Sequence, residues 1–415
     1  MEEKRLQEAA RVLAIYLRNL LDTFWSSDDN RSSFLKAVDR ALILRDADIE
    51  QFSLSFPVKK GDASRVSSWT SGLVWRNVEK LSLALDGARS KFFLPPCLFT
   101  CATLRDLELY VPTKLKVPAT VSFPSLRRLS LNSLVFTDDY STQKLFSGCP
   151  VLNELSLINC NWANLKSVTI SASNLLSLII YETGGQLQLF GRCCEIMVYG
   201  VSLKYFRYKG GFLNDYYFDN SYVDKAEILT PTLRLRHVSY RLYKLFREFS
   251  SMKMLTTSSS SFKVVQTYNA SELLAQIPLF SNLATLIFEE NPVNIYCEGL
   301  LRMFQNCPSL QTLVFSEGVR LWCLDAEEDG VLRPQPPCFL ETLEKIEVHA
   351  FHGNRDELAA LKVLLKNAMV LEKLIITCSD SFEGGPEKLK DVNNQLADLP
   401  RGSSKCCEFI CSLRP

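Results

Sequence analysis

Apolar residues return along this chain in one recurring phrase. Aligned on its first apolar position, the phrase reads LRDLEL from Leu104, LRRLSL from Leu126, LNELSL from Leu152, LATLIF from Leu283, LQTLVF from Leu310, LEKIEV from Leu343 and LEKLII from Leu371. Weaker copies are IEQFSL at Ile49, VEKLSL at Val78, LKSVTI at Leu165, LLSLII at Leu175 and LKYFRY at Leu203. The places three and five after the first are apolar and the residues between them are mostly polar, which is the period of a strand with one buried face; a helix would favour three, four and seven. Each phrase predicts one short strand.

A second period precedes several of these strands. In STQKLFSGCPVL, EGLLRMFQNCPSL and ELAALKVLLKNAMVL, the pairs Leu145/Phe146, Met303/Phe304 and Leu364/Leu365 lie seven and six residues before the repeat leucine, with Leu300 and Leu361 one helical turn earlier. That spacing predicts an amphipathic helix. Pro150 and Pro308 end it, because proline disfavours the helical conformation in the residue before it and cannot donate a helix hydrogen bond. The clear neighbouring copies are separated by 22, 26, 27, 33 and 28 residues. A helix, turn and strand repeated at that interval match a leucine-rich repeat, whose units bury their apolar faces only by stacking on one another. The expected fold is therefore α/β: a leucine-rich-repeat solenoid, horseshoe-like, of irregular helix-turn-strand repeats with a parallel β-sheet on the concave face.

The pattern loosens between about residues 205 and 280. KGGFLNDYYFDNSYVD is aromatic and glycine-containing, TTSSSS at Thr256 to Ser261 reads as a flexible surface loop, and DAEEDGVLRPQPP reads as a polar loop at a module boundary. The expected organisation is an N-terminal helical segment over 1–30, repeats over 31–333 and a C-terminal module over 334–411 that continues the solenoid.

Composition changes this picture by exclusion. With 47 Lys plus Arg against 46 Asp plus Glu, no net charge draws the chain to nucleic acid or to an anionic membrane. MEEKR is mixed in charge and VLAIYLRNLL is broken by Arg18, so neither a signal peptide nor a membrane span is expected. An intracellular location follows, cytoplasmic, nuclear or both. The 14 cysteines are scattered with no Cys-x-x-Cys, and the HAFH at His349 to His352 lacks zinc-type partners, so free thiols, solvated histidines and no metal are expected. Cys149 stands at the helix-to-strand turn, where Cys101, Cys307 and Ala368 occupy the equivalent place. A position that accepts alanine predicts a small buried slot. No phosphate loop, nucleophile elbow, metalloprotease helix or dinucleotide fingerprint occurs, and KGG and EGG read as turns; the chain is read as no enzyme and as needing no cofactor.

With the alternating leucines turned inward, the residues between them face out along the sheet, where solenoids meet partners. The candidate partner-binding residues are Asp106, Glu108, Arg128, Ser130, Glu154, Ser156, Tyr205, Arg207, Lys209, Lys345 and Glu347, in a set that also holds Tyr110, Asn132, Thr285, Glu289 and Lys373. Tyr205, Arg207 and Lys209, with nearby Tyr208 and Tyr217, stand out because Tyr and Arg are over-represented at interface hot spots.

The C-terminal stretch PQPPCFLETLEKIEVHAFHGNRDELAALKVLLKNAMVLEKLIIT resembles the FBD module of plant F-box/LRR-repeat proteins. The shared places are held by Cys338, Phe339, Leu340, Phe351, Gly353, Glu357, Leu358, Lys366, Asn367, Ala368, Leu371, Glu372 and Lys373. The region from FLKAVDRALILRDADIEQFSLSF through LFSGCPVLNELSLINC is similar to that family's repeats. The resemblance implies a non-catalytic recognition module, the substrate-binding arm of a cullin-type ubiquitin ligase adaptor. Residues 1–30 do not show the family's F-box, so the resemblance implies contact with a Skp-type adaptor and cullin only if an F-box is supplied or hidden, or else a truncated competitor. The alternatives are a stand-alone interaction or structural scaffold with no ubiquitin link and, less favoured, a fragment like a defence receptor. The protein target is not specified by any of these readings.

Overall fold

The computed structural model describes residues 12–15, 28–43, 48–59, 61–87, 93–182, 193–219, 221–230, 236–266, 275, 277–322, 330–380, 385–403 and 408–412. They fall into two compact units, Met1–Leu203 with Leu213–Ser221, and Lys204–Phe212 with Tyr222–Pro415.

In the first unit the strands Val12–Ile15, Gln51–Pro57, Lys80–Asp86, Asp106–Tyr110, Arg128–Asn132, Glu154–Ile158 and Ser177–Glu182 pair in parallel in that order. The phrase sets the register: Leu81, Leu107, Leu129, Leu155 and Leu178 stand side by side, and so do Leu83, Leu109, Leu131, Leu157 and Ile180. All ten are buried. Each such side chain contributes about 1.5–3 kcal/mol by leaving water, so two leucine columns form the spine of the unit. The helix Asp139–Ser147 covers part of it with Leu145 and Phe146, and Asp138 caps that helix by accepting the Ser141 amide at 2.8 Å.

In the second unit the strands Tyr205–Gly210, Lys225–Leu229, Met254–Ser258, Thr285–Glu289, Thr312–Phe315, Lys345–Phe351, Lys373–Cys378 and Glu408–Ser412 pair in parallel in that order. One inward column reads Phe206, Ala226, Leu255, Leu286, Leu313, Ile346 and Leu374; the next is partly aromatic, with Phe288 stacked on Phe315 at 5.6 Å. The helices Glu298–Gln305 and Arg355–Asn367 bury the residues that their spacing predicts, Leu300, Met303 and Phe304 in one and Leu361, Leu364 and Leu365 in the other. Glu357, fully buried, reaches back to the amides of His352 and Asn354 at 3.0 Å each and closes the start of the second helix. The leucine-rich-repeat expectation holds: one strand per phrase, parallel, with helices on the buried side.

Several expectations change. Ser167–Ser171, the strand of LKSVTI, lies in a separate three-stranded parallel sheet with Glu195–Tyr199 and Asp215–Asp219. Leu165 falls between the repeat leucines Leu152 and Leu175, too soon for another full turn of the main sheet. TTSSSS is no surface loop: it ends the strand Met254–Ser258, begins the helix Ser259–Gln266, and is buried throughout. Its hydroxyls satisfy one another, Thr257 to Ser261 at 3.1 Å and Ser260 to Ser258 at 2.9 Å, and Ser258 and Ser260 donate to the Thr230 carbonyl at 3.0 and 2.6 Å. Polar residues can be buried when each finds a partner. The irregular region likewise carries regular strands, Tyr205–Gly210 and Asp215–Asp219 among them. Tyr208 points inward, fully buried and stacked on Phe212 at 4.2 Å. In the N-terminal segment, expected to be helical, Val12–Ile15 is a strand on Gln51–Pro57, as its β-branched ends favour; most of 1–30 lies outside the described residues, as does 325–329 of the second loop.

Cys101, Cys149, Cys307 and Ala368 share the buried slot. The Cys149 thiol donates to the Leu145 carbonyl at 3.3 Å, and burial pushes it up to about 12.

Candidate partner-binding face

Side chains between the spine leucines fall into rows by register. In the first unit one row runs Gln51, Lys80, Asp106, Arg128, Glu154, Ser177, and the next Ser53, Ser82, Glu108, Ser130, Ser156, Ile179. Neighbours along a row are about 4.8 Å apart, the strand spacing, so they interact directly. The first row alternates in sign from Lys80 to Glu154. Arg128 grips Asp106 with two parallel bonds, Nε at 2.9 Å and Nη2 at 2.8 Å, a fork that holds both side chains in place. The hydrogen bond and then the charge of Asp106 raise the Arg128 pKa, with Glu154 adding a smaller pull. In the second row Ser82 donates to Glu108 at 2.9 Å. These rows floor a groove of about 650 Å³ that runs from Gln51 to Asn132. Asp106, Glu108, Arg128 and Ser130 line it, while Glu154 and Ser156 continue their rows on the next strand. Glu108, Arg128 and Glu154 are exposed, the others half-buried. Lys80 and Ser82 occupy the same offsets in VEKLSL and belong to this face, although the weaker apolar phrase hid them among candidates.

The second unit presents a different face. Tyr205, Arg207 and Lys209 do point outward, but their charges are committed: Arg207 Nε lies 3.2 Å from Glu227, and Lys209 Nζ 2.7 Å from Glu290. Lys225 also meets Glu227 at 2.9 Å and stands 5.4 Å above the Tyr205 ring, a cation–π contact. Burial and the neighbouring Glu227 push the Tyr205 phenol up to about 12. Lys345 and Glu347 pair with each other at 2.6 Å. Between these clusters the rows are uncharged, with Met254, Thr285, Ile287, Thr312 and Val314 half-buried. Tyr217 belongs to the three-stranded sheet of the first unit.

His349 is no solvated bystander. Its Nε2 lies 3.2 Å from Glu347 and its Nδ1 3.1 Å from the Thr377 hydroxyl. In the neutral ring Nε2–H donates to the carboxylate and Nδ1 accepts from Thr377, a carboxylate–imidazole–hydroxyl chain. Nucleophilic use of Thr377 would need donors for the developing oxyanion. Thr377 pairs with Ser412 on one side of its strand, and on the other the register shifts between Val348 and Phe351. Burial pushes the Glu347 carboxyl up, yet the hydrogen bond and charge of Lys345, joined by His349, leave it below its ordinary value. Among the described residues no group of three or more His, Cys, Asp or Glu is arranged to hold a metal ion, and no helix is long and apolar enough to cross a membrane.

Parallel strands, leucine columns and outward polar rows define a leucine-rich-repeat protein. Residues 66–191 match the model of the LRR repeats of FBD-associated F-box protein At5g56370, and residues 333–376 match the FBD model. The chain is similar to FBD-associated F-box protein At4g13985 of Arabidopsis thaliana, 27% identical over 83% of this chain and 74% of the relative. It is 27% identical to F-box/FBD/LRR-repeat protein At1g78750 over 82% and 74%, and 28% identical to F-box/LRR-repeat protein At3g59210 over 92% and 82%, both of Arabidopsis thaliana. The resemblance to plant F-box/LRR-repeat proteins with a C-terminal FBD is thus carried by repeats, FBD and most of the chain's length.

Proposed function

We propose that the outward face of the repeats is a non-catalytic protein-recognition surface, the target-binding arm of an adaptor of the F-box/LRR type. The observation that carries this reading is the groove over Gln51 to Asn132. Its charges are held in register by the Arg128 fork and by the Ser82 bond to Glu108, so the surface is pre-organised before a partner arrives. Rigid, laddered charges give specificity and steering more than raw affinity. The ubiquitin link rests on the names of the relatives.

The experiment joins a family F-box to the N-terminus of the full chain and assays assembly with a Skp-type adaptor and cullin, then ubiquitination of any protein the chain captures. Target modification that is lost in Arg128→Glu and Ser130→Arg, with adaptor assembly retained, supports the reading. Modification unchanged in both variants refutes the face as the target site. Assembly without any target-dependent modification leaves the scaffold alternative standing in its place.

A further inference from the structure

The three-stranded sheet of the first unit has its own outward side. Val168, Ile170, Ile196, Val198, Tyr216 and Phe218 are buried beneath it. Facing out are Met197 in register with Tyr217 on the next strand, and Tyr199 in register with Asp219. Tyr199 is 41% exposed and Tyr217 38%, and Val201, just beyond the strand, is 58% exposed. Large apolar groups grouped on one outward face mark interaction surfaces more often than scattered ones do.

Charge narrows the partner. The segments CCEIMVYGVSL and LNDYYFDNS, residues 193–203 and 213–221, carry the carboxylates of Glu195, Asp215 and Asp219 and no lysine or arginine. Glu195 and Asp219 are exposed. Lys166 and Arg192 stand just ahead of the strands Ser167–Ser171 and Glu195–Tyr199 in the sequence, and Lys204 follows the segment 193–203 directly. The main groove of the same unit alternates its signs; this face does not.

We propose that this second sheet is a separate docking surface for an arginine-bearing segment of a protein partner. A guanidinium stacks on a tyrosine ring while its N–H groups reach a neighbouring carboxylate, and Tyr199 beside Asp219 offers both at one strand spacing. Met197 supplies an adaptable apolar floor for the aliphatic part of the side chain. Lysine, a compact and strongly hydrated charge, gains less from the ring, so arginine is preferred. The surface is independent of the target face proposed above.

The test uses the full chain and three probes, oligo-arginine, oligo-lysine and oligo-glutamate peptides, with binding followed by fluorescence anisotropy. Oligo-arginine is expected to bind more tightly than oligo-lysine, and oligo-glutamate not at all. Tyr199→Ser and the double variant Glu195→Lys, Asp219→Lys are each expected to weaken oligo-arginine binding by about tenfold or more, as for a central interface contact. Glu108→Lys in the main groove should leave it unchanged. Circular dichroism melts establish that each variant is folded, and the conservative Tyr199→Phe should retain binding. The proposal is overturned if oligo-arginine fails to bind, if oligo-lysine binds equally well, or if Glu108→Lys has the same effect as the double variant. A concentration-dependent dimer abolished by Tyr199→Ser would assign the face to a second copy instead, and would equally overturn it.

Discussion

The outward face of the first unit and that of the second are built on the same strand phrase but hold their charges differently. In the first, charges of alternating sign stand in adjacent strands and pair across the ladder, as Arg128 does with Asp106. In the second, Arg207 also pairs across the ladder with Glu227, but Lys225 with Glu227 and Lys345 with Glu347 pair within one strand, and the strands between these clusters present the uncharged Met254, Ile287 and Val314. Charges laddered over adjacent strands make a polar groove; charges gathered on separated strands leave an uncharged strip between them. The difference teaches that the leucine columns decide the fold while the residues between them are free to vary, so recognition can be rewritten without touching the spine.

The largest effect that tests this separation comes from the spine itself. Leu155→Ala or Leu313→Ala should cost about 3 kcal/mol in denaturant unfolding, whereas Ser156→Ala, next to Leu155 but facing out, should stay within about 0.5 kcal/mol. Comparable losses at Leu155 and Ser156 would break the inside–outside division. Next comes the buried hydroxyl cluster of the second unit. Ser258→Ala removes the acceptor of the Thr230 amide at 3.2 Å and a donor to its carbonyl, and should cost about 2 kcal/mol. A neutral result would return TTSSSS to the solvent-exposed loop that its composition suggests.

That cluster also shows where the sequence misleads. The spine, the helices before it and the cysteine slot were legible because burial there follows apolar type and period. Thr256 to Ser261 is polar by type, and only the three-dimensional meeting of its hydroxyls with Thr230 makes burial affordable. LKSVTI carries the same two-residue period as a main-sheet strand, so nothing local separates Ser167–Ser171 from the main sheet. Tyr208 was grouped with Tyr205 and Arg207 by residue type although it sits at an inward offset of its own phrase. The candidate residues at the outward offsets do reach the face; what the sequence did not reveal was which of them are already paired.

Smaller effects sharpen the account further. Cys149→Ala should cost about 1 kcal/mol, the price of a small buried slot, and native Cys149 should resist alkylation at mildly alkaline pH because burial lifts its thiol to about 12. Rapid labelling of the folded protein at that position would contradict the slot. The smallest effect is a pH dependence contributed by one carboxylate of the second unit. Glu347 is held below its ordinary value in the fold, so its contribution is present above the carboxylate range and is lost as pH falls through the lowered folded value. The acid limb of the stability profile should therefore be shallower in Glu347→Gln than in the parent, and identical limbs would show that the Lys345 and His349 contacts carry no net stability.

The most direct measurement of the central claim places a photo-crosslinking phenylalanine analogue at single outward positions of the first unit, Ser130 and Ser156, and at Ser147, exposed on the helix Asp139–Ser147, as a control. After irradiation in plant extract, the account predicts one discrete protein adduct shared by positions 130 and 156, absent at 147, and eliminated when Arg128→Glu is added. An adduct of equal yield at all three positions, or one indifferent to Arg128→Glu, would contradict the claim that the outward rows of the repeats are the recognition surface.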